Sequence, residues 1–294
     1  QLNPVSHSIF IFHDESGIYG HGDWVLTGLL WINENQIQEL STELKLLRLK
    51  EGCEGKIHFK KFQKSFKGDY GYKPRVARDW FNLWVRKWSK KTWFNAVAVN
   101  RTHPVYDHRR YAQPFHSYNR FVAIALKSGL SWFFKGYSKL SLSIYSDGKS
   151  RRPDGLIPDG ITSDNFEEYI FNRLYRDAES YHGPKIHLNN SVQCILSPHK
   201  GCYNHYQEIL QLTDLLLGSI SEAIAPKSSK ETKIWFAKNI ARMMKDIRLP
   251  PWEQEYGLHR KFSISYFPND SNKFYNNGPI GVLKQDDFIQ SKLP

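Results

Sequence analysis

Hydrophobic and polar positions along the chain change period repeatedly, and each change marks an element. The run Ser8-Ile9-Phe10-Ile11-Phe12 is strand-like and leads into His13-Asp14-Glu15-Ser16-Gly17. Two-residue alternation places Phe10, Phe12 and Asp14 on one face, with Ile9, Ile11, His13 and Glu15 on the other. Residues 24–32 form a second apolar block, expected to be the hairpin partner of the first. Ile37, Leu40, Leu44 and Leu47 have helical spacing, so a helix capped by Asn33 or Asn35 is expected to about residue 50, with Gly52 and Gly55 ending it. A second helix is expected from Pro74 to about residue 90, a strand over 92–100, and an apolar helix over 114–134. Then follow an alternating strand over 139–147, a helix over 163–181, a strand over 191–196, helices over 203–225 and 229–246, and a strand over 262–267. The Pro250-Pro251 pair breaks the chain before that last strand, and a polar tail follows it. Strands interleaved with helices predict an α/β fold.

Composition supports a folded core: 40% of the 294 residues are hydrophobic and 15% aromatic. No apolar run approaches the ~20 residues of a membrane-spanning helix. Three cysteines are too few for a disulfide framework. These features predict a cytoplasmic protein. Charge adds more. The formal net charge is +12, and between Lys45 and Lys91 fifteen Lys or Arg stand against four acids. Such a field attracts polyanions, so nucleic acid is the expected partner; a basic face that serves solubility is the other reading. Trp80, Trp84 and Trp88 lie among these cations, but their four-residue spacing marks a helix face packed on the core. The cations therefore carry the signal.

Three acids sit where burial is costly. Asp14 ends the first strand and Asp147 ends the strand over 139–147, each followed within three residues by glycine. Asp214 is embedded in Leu210-Gln211-Leu212-Thr213-Asp214-Leu215-Leu216, and Gln207, Gln211, Asp214 and Gly218 share one helical stripe. A charge at such a position must meet a partner or a metal. Two plainer readings stand beside this one: an ordinary polar turn at 14–17, and an Asp214 paired with a core Lys or Arg. If the acids converge, a few Asp oxygens suit Mg²⁺ or Mn²⁺, and two such ions ~4 Å apart activate water for phosphodiester hydrolysis. The loop after Asp147 brings Lys149, Arg151 and Arg152, suited to a phosphate backbone.

Two strand-end acids with a late helical Asp resemble the ribonuclease-H-like nucleases. The segments Phe12-His13-Asp14-Glu15-Ser16-Gly17, Lys56-Ile57-His58-Phe59, Tyr145-Ser146-Asp147 and Leu210-Gln211-Leu212-Thr213-Asp214-Leu215-Leu216 narrow this to a resemblance to the domain-of-unknown-function 3800 family, over about residues 8 to 225. The resemblance implies a ribonuclease-H-like mixed sheet flanked by helices, with a basic helical insertion at about 45–91 and a C-terminal helix, strand and tail after 225. It implies a metal-dependent nuclease with Asp14, Asp147 and Asp214 as Mg²⁺ or Mn²⁺ ligands. Glu15 and Gln211 would be assisting ligands or orienters, and His58 would lie near the scissile phosphate, with Lys60 and Lys61 beside it as substrate contacts. A bacterial defence or mobile-element setting is implied too, as is action on DNA or RNA, alone, as a homo-oligomer or with an accessory protein. The chain departs from the pattern at Lys56, where an acid is expected; Glu15, Glu43 and Glu54 are candidates for a fourth carboxylate. A non-catalytic nucleic-acid-binding protein with a relict acidic site is the alternative.

Cys194, His199, Cys202 and His205 have the ligand types of a zinc site, but their spacing matches no standard finger. No phosphate-binding glycine loop and no nucleophile motif is present.

Overall fold

The computed structural model describes residues 7–17, 23–111, 114–147, 165–176, 185–188, 193–195 and 204–283. Seven strands form one mixed sheet: β1 (His7–Ser16), β2 (Trp24–Asn33), β3 (Trp93–Asn100), β4 (Lys139–Asp147), β5 (Lys185–Leu188), β6 (Gln193–Ile195) and β7 (Phe262–Phe267). Their order is β5-β4-β1-β2-β3-β7, with β6 also paired to β4. β1, β2 and β3 form an antiparallel meander, while β4 runs parallel to β1 and β5 and β6 run parallel to β4. The result is an α/β fold, a mixed sheet flanked by helices on both faces. A C-terminal extension completes it: β7 adds to the β3 edge in parallel, and the last long helix packs on the helix before it.

The helices are α1 (Ile37–Lys50), α2 (Tyr72–Leu83), α3 (Pro114–Phe133), α4 (Phe166–Arg176), α5 (His205–Ile224) and α6 (Glu231–Asp246). The alternation expected in β1 is realised. Phe10 and Phe12 join a core layer with α1, α2, α5 and α6, while Ile9 and Ile11 join a second layer with α3 and α4. Burying both faces of a strand requires apolar residues at nearly every position, which is why β1 and β2 read as continuous runs.

Two expectations need correction. Neither Asn33 nor Asn35 caps α1; a short 3-10 turn, Glu34–Gln36, precedes it, and no side-chain cap bond forms. The strand expected over 191–196 is β6, beside residues 145–147, but a further short strand, β5, beside 139–142, was not expected. Four residues are too few for alternation to identify β5.

The tryptophan stripe is core. Trp80, Trp84 and Trp88 are fully buried, the last two in a wider π turn that continues α2. Each indole N–H donates internally: to the Leu44 carbonyl (2.9 Å), Thr92 Oγ1 (3.2 Å) and Glu43 Oε2 (2.8 Å). A large ring can be buried only when its polar edge is satisfied.

Candidate active site

Parallel pairing of β1 and β4 sets His13 opposite Ser146. One residue further along each strand, Asp14 and Asp147 therefore stand at the same level of adjacent strands. The level beneath them is tied together by a buried histidine: His13 Nδ1 is 2.8 Å from Ser146 Oγ on β4, and Nε2 is 3.3 Å from Thr27 Oγ1 on β2. Asp14 is only 8% exposed, and its Oδ1 accepts the Glu15 N–H at 2.9 Å. Glu15 belongs to the opposite face, where the Tyr118 hydroxyl of α3 donates to its Oε2 at 3.5 Å. Asp147 is the last residue of β4; its side chain lies outside the described residues, as do Lys149, Arg151 and Arg152.

Helix α5 covers the Asp14 face. Gly28, the cross-strand partner of Asp14, has no side chain, and a Cβ there would meet Leu217 Cδ1 of α5 at 2.8 Å. Asp214 precedes Leu217 by three residues, close to one turn. The helix starts from a capping box, in which Asn204 and Gln207 each accept the other's backbone N–H at 2.9 Å.

The stripe Gln211, Asp214, Gly218 receives the segment 57–59 in order. Gln211 Oε1 accepts from the Ile57 N–H (2.7 Å) and from Arg48 Nη2 (3.0 Å), and its Nε2 donates to the Gln207 carbonyl (3.1 Å). Both ends of that amide are engaged, so Gln211 acts as an orienter of this segment. Asp214 Oδ2 accepts the Phe59 N–H at 2.8 Å and lies 3.0 Å from His58 Nδ1. The Phe59 ring then fills the space over Gly218, where a Cβ would come within 2.5 Å of it. Among the described residues no Lys or Arg is within ion-pair distance of Asp214, and its Oδ1 accepts no hydrogen bond.

Sequence reasoning missed the neighbouring network. Arg48 of α1, buried, donates through Nε to Glu208 Oε1 (3.1 Å) and through Nη2 to Oε2 (2.9 Å). Its Nη1 reaches the Gly55 carbonyl at 2.7 Å. Burial pushes the Glu208 carboxyl above the ordinary carboxylate range, against the pull of the Arg48 guanidinium. Arg48 had counted among the basic-segment cations, yet it is internal. Arg75, half-buried, is held by Glu51 (2.7 Å) and the Phe66 carbonyl, and Lys87 is shared by Glu39 and Glu43. The free positive charge of that segment is smaller than its composition suggests. Glu43 is committed to Lys87 and Trp88, and Glu54 is exposed.

Two lysines of the basic segment, and two from residues 230–233, add cations around the 58–62 turn. Lys60 and Lys61 follow His58 in an exposed turn. Lys230 Nζ donates to the Phe62 carbonyl at 2.7 Å, and Lys233 Nζ stands 5.2 Å over the Phe59 ring. Burial lowers the Lys233 pKa, and the negative charges of Glu222 and Asp214 oppose that shift. Nothing in the local pattern distinguished these two lysines from ordinary solvated ones.

The oxygen-only set expected from the sequence, Asp14, Asp147 and Asp214, is of the type that a hard divalent cation takes. Two of its three carboxylates, Asp14 and Asp214, are described, and Asp214 Oδ1 is available to a ligand. Among the described residues alone, no three His, Cys, Asp or Glu side chains stand close enough to hold a metal. Of the zinc-type group, His205 Nδ1 is 2.7 Å from Ser41 Oγ, and the side chains of Cys194, His199 and Cys202 lie outside the described residues. No described helix is long and apolar enough to cross a membrane.

No protein-family model and no curated protein matches the chain. Among solved structures, a match is the crystal structure of the ribonuclease H2 from Pyrococcus horikoshii OT3. It is 11% identical, covers 86% of this chain and 97% of that one, and has a TM-score of 0.33. The strand order above, rather than this likeness, carries the description of the fold.

Proposed function

We propose that this chain is a divalent-metal-dependent nuclease that hydrolyses phosphodiester bonds. One observation carries the reading: the β1–β4 register sets Asp14 level with Asp147, and α5, the helix that carries Asp214, packs over the same face of the sheet. Asp14, Asp147 and Asp214 would hold Mg²⁺ or Mn²⁺, which when bound supplies an activated water and charge stabilisation for an in-line displacement. The chain's own groups do the rest. His58, fixed by Asp214 Oδ2, is placed to contact the substrate phosphate. Lys60, Lys61 and Lys233 add positive charge around it, with Lys149, Arg151 and Arg152 as further backbone contacts. Gln211 and Arg48 hold the segment that carries His58. The motifs shared with the domain-of-unknown-function 3800 family support this reading, and with it a role in bacterial defence or on a mobile element.

The engagement of Asp214 by His58 and the Phe59 N–H favours a second reading, a nucleic-acid-binding protein whose acids are now structural. Asp214→Asn separates the two. The amide still accepts from Phe59 N–H, so stability should change by no more than about 1 kcal/mol. The nuclease reading expects loss of Mn²⁺-dependent cleavage and of the Mn²⁺-induced rise in Tm, with nucleic-acid affinity kept. Unchanged cleavage, or no effect of Mn²⁺ on the Tm of the unmutated chain, would remove it.

A further inference from the structure

On the far edge of the sheet, β7 pairs with β3 on one side, and on the other, among the described residues, only Tyr266 is bridged, to Tyr275. Beside the open part of that edge lies a cleft of about 280 Å³, between β7, the C-terminal half of α3 and the turn at 276–277. β7 runs parallel to β3 and hence in the direction of β1, and the cleft follows its first four residues. The registers set Ile264, Ala96, Gly28 and Asp14 at one level, so the cleft is separated from Asp14 across the width of the sheet, by β2 and β3, and not along the strands.

The lining has a specific chemistry. No Asp or Glu contributes, while Arg248, His259 and Arg260 do, together with serine hydroxyls and the amides of Asn276 and Asn277. One large aromatic wall is open: Trp132 is 42% exposed, whereas Trp31, Trp80, Trp84, Trp88 and Trp93 are buried. Its ring is flanked by the Arg260 guanidinium, 5.5 Å from the centroid, and by the edge of His259 at 5.8 Å. Arg260 holds this position with φ of 57°, in the left-handed region that a residue with a Cβ seldom adopts. Arg248 is anchored by donation from Nη2 to the Gly278 carbonyl at 2.7 Å. An accessible indole, planar cations and amide groups, with no Asp or Glu in the lining, match the three parts of a nucleotide: a π face, a phosphate and a polar base edge.

We infer that this cleft holds one nucleotide of a single-stranded nucleic acid, its base stacked on Trp132 and its phosphate met by Arg260 and Arg248. The volume, at the small end of ligand pockets, fits one nucleotide unit and excludes a duplex. The contact extends the footprint of a bound strand to the sheet edge remote from the acids. It stands on its own residues, and its test reads no cleavage.

The experiment uses the full chain with divalent metal chelated. An oligonucleotide carrying 5-iodouracil is crosslinked by ultraviolet light and the attachment site mapped by mass spectrometry, while anisotropy of a labelled oligothymidylate gives affinity. Crosslinks at Trp132 or His259 are expected, and W132A should weaken binding about tenfold. R260G removes the guanidinium while relieving the left-handed backbone, so weaker binding without a lower Tm is expected. Its slope of log affinity against log salt should also fall by about one. Unchanged affinity in both variants, with crosslinks only elsewhere, would overturn the inference. So would retention of a synthetic peptide along β7 by a chain that gives no oligonucleotide crosslink in the cleft.

Discussion

Around Glu208, helix α5 is a sealed ion-pair network; around Asp214, six residues on, the same helix offers a carboxylate that is only partly used. The Glu208 side chain is 1% exposed and meets a two-pronged guanidinium, whereas Asp214 is 15% exposed and is met by one imidazole and one backbone N–H. Both acids act on the 53–59 segment, Glu208 through Arg48 and Asp214 directly. The first fixes that segment through Arg48 and Gln211, and the second presents what the segment carries, His58. Holding and presenting are separated along one helix, because a charge fully matched by a buried partner has nothing left for a ligand, while a partly satisfied one has.

The largest expected effect breaks the holding half. Arg48→Met strands Glu208 in the core and should cost about 3–5 kcal/mol in urea denaturation, whereas adding Glu208→Leu should recover most of that loss. A single change costing under about 1 kcal/mol would show that the network does not hold this segment. Next comes the seam between the halves. Gly218→Ala places a methyl against the Phe59 ring and should cost about 1–3 kcal/mol. Because the displaced residue adjoins His58, cleavage should fall further than the Tm shift alone explains. A neutral Gly218→Ala would mean that Phe59 is not pinned to α5.

The smallest effect concerns pH. Since burial raises the folded-state pKa of Glu208, the native chain binds its proton more tightly than the unfolded one. Its contribution is therefore complete below the ordinary value of 4.5 and is lost as pH rises through the elevated one. Unfolding midpoints from about pH 4 to about pH 7 should show the advantage of the unmutated chain over Glu208→Gln narrowing as pH rises. A widening gap would mean that the ion pair, not burial, dominates at this acid.

Much of this molecule was legible in order along the chain. The alternation of β1 assigned Phe10, Phe12 and Asp14 to one face, the spacing of Trp80, Trp84 and Trp88 identified a buried stripe, and Asp214 stood out as an acid in an apolar run. These are local properties, because side-chain period depends on a few consecutive backbone angles. What tertiary structure alone decided was pairing across distance. The register that sets Asp14 level with Asp147, the addition of β7 to the β3 edge, the fit of 57–59 onto the α5 stripe and the capture of Arg48 by Glu208 each join segments with no shared periodicity. So do the approach of Lys233 to Phe59 and the meeting of Trp132 with Arg260. A lone Arg in an amphipathic helix carries the same pattern whether it faces water or a buried carboxylate; only the packed chain supplies the partner and the low dielectric that make the difference.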